Sequence, residues 1–246
     1  MSTATTLVLL PTFQERDNIE TVLRQLREAV PLATVLVIDD ASPDGTADVA
    51  EELGRELGHI EVMRRHEKNG LGTAYRAGAA WGLERGFELI VQMDADLSHD
   101  PLALPQLLDA RERHDADLVI GSRYVPGGSI PDWTRRRRLL SKAANVYARL
   151  WLGLRIRDAT TGYRVWTAAA IKDVDMLGTR AEGYGFVIES NFRASRQGHS
   201  VVEVPIVFRD RARGKSKMSG RIIIEALVLV TRWGIEVRAT QFRRRK

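Results

Sequence analysis

The chain has 246 residues, a net charge of +5 and no Cys; 44% of its residues are hydrophobic and 28% are charged. This composition is typical of a folded globular domain and excludes collagen-like, low-complexity and intrinsically disordered chains. The lack of Cys excludes a disulfide framework, a thiolate metal site and a cysteine nucleophile, and the length suits one large α/β domain or two small ones.

The N-terminal half alternates short apolar runs with longer helix-like stretches. The runs are rich in β-branched residues and lie at 6–10, 35–38, 60–63, 89–93 and 118–120. Near-continuous apolar strands separated by helices are typical of a parallel sheet that is buried on both faces. The pattern therefore predicts an α/β fold with a mainly parallel sheet flanked by helices.

The pattern changes beyond Arg123. We expect a basic loop, then a helix at 139–152, a segment rich in Gly and aromatic residues at 183–190, and a last strand-like run at 201–208. No repeat, linker or low-complexity stretch divides the chain. These features indicate one domain with a C-terminal extension.

Positive charge is concentrated near the C-terminus. Residues 209–246 hold 12 Lys or Arg against 3 Asp or Glu. Such asymmetry indicates an anionic partner, which is a phosphate group, an acidic lipid or a nucleic acid. We place the domain at 1–220 and an amphipathic, basic extension at 221–246.

We expect neither a secretory signal nor a membrane-spanning segment. The first residues lack the basic region of a secretory signal, and the longest apolar run near the C-terminus, 222–230, is interrupted by Glu225. A bilayer span needs about 20 predominantly apolar residues. We therefore expect a cytoplasmic protein that does not itself cross a membrane.

Two carboxylates follow the fourth predicted strand, in the segment QMDADLSHDP. Asp94 and Asp96 are two residues apart, a spacing that directs both side chains to one side of an extended chain. Their repulsion is relieved by a hard divalent cation, Mg²⁺ or Mn²⁺, whose other ligands are phosphate oxygens and water. The alternative is a polar loop in which an Asp caps the next helix.

Two more carboxylates, Asp39 and Asp40, follow the second predicted strand. Ligands of open α/β sheets bind beyond the carboxyl ends of the strands, and a carboxylate there accepts hydrogen bonds from a base or a ribose. Helix capping is the alternative role. The later stretch GLGTAY is not a dinucleotide fingerprint, because Tyr75 replaces its third Gly; we expect Gly70 to start a helix or to let the backbone approach a nucleotide.

Seven motifs occur in a defined order along residues 5–220. They are LLPTFQERDNIE, VIDDASPDGT, NGLGTAYRAG, QMDADLSHDP, GSRYVPGG, DATTGYR and RARGKSK. Their joint order and spacing resemble the polyprenol (dolichol) phosphate mannose synthases, which are inverting family 2 glycosyltransferases with the GT-A fold. The resemblance implies transfer of mannose from GDP-mannose to a polyprenyl phosphate lipid, with Mg²⁺ or Mn²⁺ as cofactor.

The resemblance also implies roles for individual residues. The donor nucleotide is bound by Pro11, Phe13, Glu15, Ile38, Asp39, Asp40, Asp94, Ala95, Asp96, Arg211 and Lys217. The metal is held by Asp94, Asp96 and Ser98, where the family often has Gln in place of this Ser. The acceptor phosphate is bound by Arg123, Arg137 and Ser141, and the catalytic set is Asp96, Arg123, Arg211 and Lys217.

The acceptor chemistry needs no catalytic base. A phosphate monoester has a second pKa near 6 and is already anionic at neutral pH, so it needs orientation by cations instead of deprotonation. Asp158 lies where other family 2 enzymes keep a base. Here we expect it to orient an Arg.

A lipid acceptor requires contact with a membrane. The segments 139–154 and 222–233 carry apolar faces, Trp151, Trp233 and flanking basic residues, as interfacial helices do, although either segment is also compatible with the core. We expect peripheral association with the cytoplasmic face of the membrane, either directly or through an integral membrane partner subunit.

Three other functions fit parts of the sequence. A polyprenol phosphate glucosyltransferase that uses UDP-glucose would share the diphosphate site, because the base pocket is not legible from sequence. A donor-binding but inactive scaffold disagrees with the presence of the charged residues named above. A nucleic-acid-binding module disagrees with the few aromatic residues and the acidic cleft, so we expect no nucleic acid partner.

Overall fold

The computed structural model describes residues 5–210 and 220–244, with side chains of the last helix described for 226–239. Its strands are β1 (Thr6–Thr12), β2 (Thr34–Asp39), β3 (Ile60–Arg64), β4 (Leu89–Gln92), β5 (Leu118–Ser122), β6 (Arg164–Thr167) and β7 (Val201–Pro205). Its helices are α1 (Arg16–Ala29), α2 (Thr46–Leu57), α3 (Leu71–Glu84), α4 (Leu104–His114), α5 (Arg135–Leu152), α6 (Ala168–Asp173), α7 (Gly183–Gln197) and α8 (Gly220–Arg244). The five strands predicted in the N-terminal half are confirmed, each to within two residues.

The strands form one sheet in the order β3-β2-β1-β4-β6-β5-β7. Every neighbouring pair is parallel except those of β6, which runs antiparallel to both β4 and β5. The mainly parallel α/β fold is therefore confirmed. The parallel arrangement brings the carboxyl ends of β1, β2 and β4 to one edge of the sheet, as the distribution of carboxylates predicted.

Helices cover both faces of the sheet. Along β1, Leu7 and Leu9 face one apolar cluster, whereas Val8 and Leu10 face the other, and all four side chains are fully buried. This alternation follows from the period of two in a strand. Burial on both faces explains why the strands are apolar throughout.

In the C-terminal half the structure corrects the start of the predicted helix and adds two elements that the sequence pattern leaves unassigned. The basic loop before the predicted helix is the first turn of α5, which begins at Arg135, because Thr134 caps it by accepting a hydrogen bond from the Arg137 N–H. The segment rich in Gly and aromatic residues forms the start of α7. Strand β6 was missed, since it is only four residues long and begins with Arg164.

Helix α5 packs against α8 at one end of the molecule. The Tyr147 and Thr231 hydroxyls are 2.6 Å apart, and Arg238 lies 4.3 Å from the centre of the Trp151 ring. No helix in the described ranges is both long and apolar enough to span a bilayer.

Helix α3 lies unusually close to the sheet. A Cβ added to Gly78 would stand 2.5 Å from Cδ1 of Ile38 and 2.8 Å from Cδ2 of Leu9. Gly costs helix stability relative to Ala, so close packing explains why it stands here.

We expect the substitution Gly78→Ala to lower the free energy of unfolding by about 1–3 kcal/mol, because overpacking outweighs the gain in helix propensity. Urea denaturation followed by circular dichroism measures the change. An unchanged or higher stability would show that α3 can move away from β1 and β2 without loss.

Candidate active site

A cavity of about 340 Å³ opens at the carboxyl ends of the parallel strands. Its first wall includes Pro11, Phe13, Glu15, Asp40 and Lys68; its floor includes Asp94, Ala95, Asp96 and His99; its far wall includes Arg123, Thr160, Tyr184 and Phe208. Eight of the predicted site residues therefore share one cavity. Ile38, Asp39, Ser98, Arg137 and Ser141 are not among the residues that line it, and Arg211 and Lys217 lie outside the described residues.

Asp94 and Asp96 both line the cavity just beyond β4. The Ser98 hydroxyl donates to Asp96 Oδ1 at 2.5 Å, and the Ser98 N–H donates to the same oxygen at 3.0 Å. Leu97, between them, adopts a left-handed φ of 62°. Ser98 thus orients Asp96 instead of extending into the cavity.

The two carboxylates suit a hard divalent cation. No group of three or more His, Cys, Asp or Glu side chains in the described part of the chain is placed to hold a metal. Mg²⁺ is commonly bound through one or two carboxylates, with substrate phosphates and water as the other ligands. Asp94 and Asp96 meet that requirement, provided that a diphosphate completes the coordination.

His99 supports the carboxylate loop, a role that the sequence did not reveal. Its Nδ1 accepts the Asp94 N–H at 3.2 Å, which leaves the proton on Nε2. The ring is fully buried, with its centre 5.1 Å from that of Tyr163 and 5.4 Å from that of Phe208. Burial lowers the pKa of His99, so the side chain is neutral near pH 7. The only sequence signal is its position three residues after Asp96.

Asp39 and Asp40 have different surroundings. Asp39 accepts hydrogen bonds from Thr12 Oγ1 at 2.9 Å and from Ser42 Oγ at 2.5 Å, so it fixes the loop after β2. Asp40 lines the cavity and pairs with Arg65 at 2.6 Å. Burial raises the pKa of Asp40 despite this cation. Of the two, Asp40 is the residue available to a ligand.

Strained backbone recurs at this edge of the sheet. Gln14, Ala41 and Leu97 follow β1, β2 and β4, and their φ values are 56°, 55° and 62°. Left-handed conformations are unfavourable for residues with a Cβ and are concentrated at functional sites. The three tight turns aim the side chains that follow each strand toward the cavity.

The wall near Phe13 combines an aromatic ring with a cation. Lys68 Nζ lies 4.0 Å from the centre of the Phe13 ring, and both residues line the cavity. Glu15, on the same wall, accepts a hydrogen bond from the Asn18 side chain at 2.8 Å. This wall offers stacking and polar groups to a planar ligand.

The glycines of the GLGT stretch place α3 against the loop before α7. Gly70 precedes the first residue of α3, as predicted, and a Cβ there would stand 2.5 Å from Glu182 Oε2. The Glu182 carboxylate accepts hydrogen bonds from the Thr73 N–H and hydroxyl and from Arg76. The backbone at Gly70 therefore approaches Glu182 of the protein itself. This contact closes the side of the cavity that Glu182 and Gly183 line.

Arg123 forms a buried ion pair with Asp158. Its Nε and Nη2 donate to the two Asp158 oxygens at 2.7 and 2.8 Å, and its N–H donates to Oδ2 at 3.0 Å. The side-chain exposures are 4% and 0%, so the pair is buried, although Arg123 also lines the cavity. The structure thus agrees with the expectation that Asp158 orients an Arg.

Aromatic rings surround the guanidinium groups of the far wall. Arg123 lies 5.1 Å from the Phe208 ring centre and 5.7 Å from that of Trp133. Arg137 lies 3.9 Å from the same Trp133 ring, and Ser141 accepts a hydrogen bond from the Tyr124 hydroxyl at 2.7 Å. Arg137 and Ser141 therefore lie beside the cavity, next to Arg123 and its neighbour Tyr124.

Solved structures share this fold. The glucosyl-3-phosphoglycerate synthase of Mycobacterium tuberculosis, crystallised with Mn²⁺, UDP and phosphoglyceric acid, matches with a TM-score of 0.70 and 21% identity over 93% of this chain and 75% of that chain. The order of the strands and the flanking helices, together with this match, define the class by fold: the GT-A fold.

The family follows from the sequence match. The model of glycosyl transferase family 2 matches residues 7–174, and the chain belongs to this family. It is 48% identical to an undecaprenyl-phosphate mannosyltransferase of Micrococcus luteus, over 94% of this chain and 95% of that protein. It is 47% identical to a polyprenol monophosphomannose synthase of Mycolicibacterium smegmatis, over 98% and 91%. These relatives confirm the resemblance drawn from the seven motifs.

We expect Asp158→Asn to lower the free energy of unfolding by about 3–5 kcal/mol, because it leaves the buried Arg123 charge without its counterion. Thermal unfolding followed by circular dichroism measures the loss. Glu56→Gln is the control, since it breaks an exposed contact with Arg24 of similar length, 2.8 Å, and should leave the transition almost unchanged. Equal shifts in the two variants would contradict the assignment of Arg123 and Asp158 as a buried pair that stabilises the fold.

Proposed function

We propose that the protein transfers mannose from GDP-mannose to a polyprenyl phosphate with inversion, releasing GDP. The observation that carries this proposal is that one cavity is lined both by the acidic floor, Asp94 and Asp96, and by Arg123 on the far wall. The names of the two relatives, at 48% and 47% identity over nearly the whole chain, support the same reaction.

The donor diphosphate is assigned to the acidic floor. Asp94 and Asp96 would hold Mg²⁺ or Mn²⁺, and Ser98 would orient Asp96. The metal, when bound, would neutralise the negative charge that develops on the leaving diphosphate. The Mn²⁺ and UDP found with the M. tuberculosis synthase support this use of the fold. Arg211 and Lys217 would supply further positive charge to the diphosphate.

The guanosine is assigned to the first wall. Phe13 offers a ring face, and Asp40 offers a carboxylate for hydrogen bonds with the base or the ribose. Asp39 would act indirectly, by holding the loop that carries Asp40. Pro11, Glu15 and Ile38 complete this wall, with Ile38 packed behind it.

The acceptor phosphate is assigned to the arginine wall, which consists of the far wall with Arg123 and of Arg137 and Ser141 beside it. Arg123, Arg137 and Ser141 would bind it and direct one of its oxygens at the anomeric carbon, opposite the diphosphate. A C–O bond forms as the bond between that carbon and the diphosphate oxygen breaks, which inverts the configuration. No base is needed for an anionic nucleophile, and the engagement of Asp158 by Arg123 agrees with this.

The lipid would be met at the surface formed by α5 and α8. Leu139 and Leu150 on α5 are 70% and 72% exposed, and Val228 and Ile235 on α8 are 61% and 56% exposed. On each helix these positions share a face, since they are 11 and 7 residues apart. Such large exposed apolar side chains are typical of a membrane-facing surface.

The two tryptophans of these helices have another role. Trp233 stacks on Phe192 at 6.2 Å, and Trp151 packs against Tyr147, so both rings contact protein. The exposed basic residues Arg135, Arg136 and Lys142 would contact anionic headgroups instead. We therefore assign peripheral attachment at the cytoplasmic face to two sets of exposed residues on α5 and α8. The apolar set is Leu139, Leu150, Val228 and Ile235, and the basic set is Arg135, Arg136 and Lys142.

We expect labelled mannose to pass from GDP-mannose to a polyprenyl phosphate in detergent, and EDTA to abolish the transfer. Asp96→Asn should reduce the rate by about 100-fold or more and weaken Mn²⁺ binding in the presence of GDP, measured by electron paramagnetic resonance. Asp100→Asn, which alters a helix-capping carboxylate on the same loop, is the matched control and should retain both properties.

Two outcomes would overturn parts of this proposal. Labelling from UDP-glucose and not from GDP-mannose would keep the mechanism but change the donor and the product. Full Mn²⁺ binding by Asp96→Asn would show that Asp96 does not hold the metal.

We expect the protein to sediment with vesicles that contain anionic lipid, and the double substitution Leu139→Ser and Leu150→Ser to lower the vesicle partition coefficient by about 100-fold or more. Burial of a Leu side chain contributes about 1.5–3 kcal/mol, which is the interaction lost at each position. Leu32→Ser, at a position that is 84% exposed outside α5 and α8, is the control. Equal binding by all variants would exclude this surface, and no binding by the unchanged protein would indicate attachment through an integral membrane partner.

A further inference from the structure

The Asp210 carboxylate forms an ion pair with Arg137, a residue of the proposed acceptor site. Its Oδ1 accepts hydrogen bonds from Arg137 Nη1 at 2.7 Å and from Trp133 Nε1 at 2.9 Å. Its backbone N–H donates to Asp132 Oδ2 at 3.1 Å, which fixes the position of the residue. A carboxylate of the chain itself is therefore seated where an incoming phosphate would bind.

The two arginines of this wall differ in how firmly their counterions are held. Arg123 makes three contacts with Asp158 inside the protein. The pair of Arg137 and Asp210 is 46% and 47% exposed and has one short contact. Exposed pairs contribute about 0–1 kcal/mol, whereas removal of one partner from a buried pair costs several. Only the Asp210 carboxylate is held weakly enough for a ligand to displace it.

A phosphate monoester is well suited to displace the Asp210 carboxylate from Arg137. At neutral pH its charge is about −1.5 to −2, against −1 for a carboxylate, and it presents three oxygens to a guanidinium. Both guanidinium groups lie near the Trp133 ring, with Arg137 at 3.9 Å and Arg123 at 5.7 Å from its centre. The phosphate that displaces Asp210 would therefore remain close to Arg123.

We propose that Asp210 is a specificity-determining residue that competes internally with the acceptor phosphate for Arg137. It admits a dianionic phosphate and disfavours anions of lower charge, which gain too little at Arg137 to displace it. This inference rests on the proposed function, because it assigns the acceptor phosphate to Arg137. Asp210 is thus a positioning residue that acts through Arg137.

The test uses the full chain and farnesyl phosphate as a soluble probe, with calorimetric binding and the KM for transfer as readouts. Asp210→Asn keeps an oxygen for the Trp133 N–H but removes the charge, so we expect both the dissociation constant and the KM to fall about two- to fivefold. The KM for GDP-mannose should not change. In an Arg137→Ala background, Asp210→Asn should have no effect on farnesyl phosphate.

Asp132→Asn is the matched control, because it removes a neighbouring negative charge without a contact to Arg137. If Asp132→Asn tightens farnesyl phosphate binding as much as Asp210→Asn does, the effect comes from the net negative charge of this region. The proposal that Asp210 competes with the phosphate for Arg137 is then wrong. Unchanged or weaker binding by Asp210→Asn also overturns it, provided that Arg137→Ala weakens binding. If Arg137→Ala leaves binding intact, the assignment of the acceptor phosphate to Arg137 fails instead.

Discussion

The buried pair of Arg123 and Asp158 is the interaction on which the C-terminal half of the structure depends. The Asp158 N–H and the preceding N–H donate to the Glu203 carboxylate of β7 at 2.9 and 2.8 Å. The next N–H, of Ala159, donates to Asn145 of α5, and the Ala159 carbonyl accepts from Asn191 of α7. One short loop thus joins β5, β7, α5 and α7. Because the charges are buried and mutually satisfied, this junction holds the arginine wall at a fixed distance from the carboxylate floor.

The cavity separates charge as the proposed reaction requires. Its floor carries Asp94 and Asp96, and its far wall carries Arg123, whose counterion is Asp158. A second arginine lies beneath this site: Arg164 is fully buried, and burial lowers its pKa to about 10. The nearby Asp94 carboxylate favours the charged form of that guanidinium. The negative charge of the floor is therefore partly balanced by the Arg164 guanidinium even before a diphosphate binds.

Sequence patterns predicted the N-terminal half well, because its strands are apolar on both faces and each ends in residues of distinct chemistry. The cavity residues Asp40, Asp94 and Asp96 were found from their positions after strands, and Arg123 from its motif. The roles of Asp39 and Ser98 could be assigned only from the structure. An Asp or Ser that makes a local hydrogen bond looks the same in the sequence as one that contacts a ligand. Phe208 was missed because packing between distant segments places it at the site, and His99 because its hydrogen bond from the Asp94 N–H leaves no signal in the sequence beyond its position.

The antiparallel strand β6 has a consequence for the order of assembly. The first wall and the acidic floor follow β1, β2 and β4, which are complete within the first 100 residues. The arginine wall needs β6 between β4 and β5, and it needs Glu203 of β7, so its contacts span many more residues. Contacts of long sequence separation form late and domains fold from the N-terminus during synthesis. We therefore expect a growing chain to form the contacts among β1, β2 and β4 first, whereas the contacts around Arg123 wait for β6 and β7.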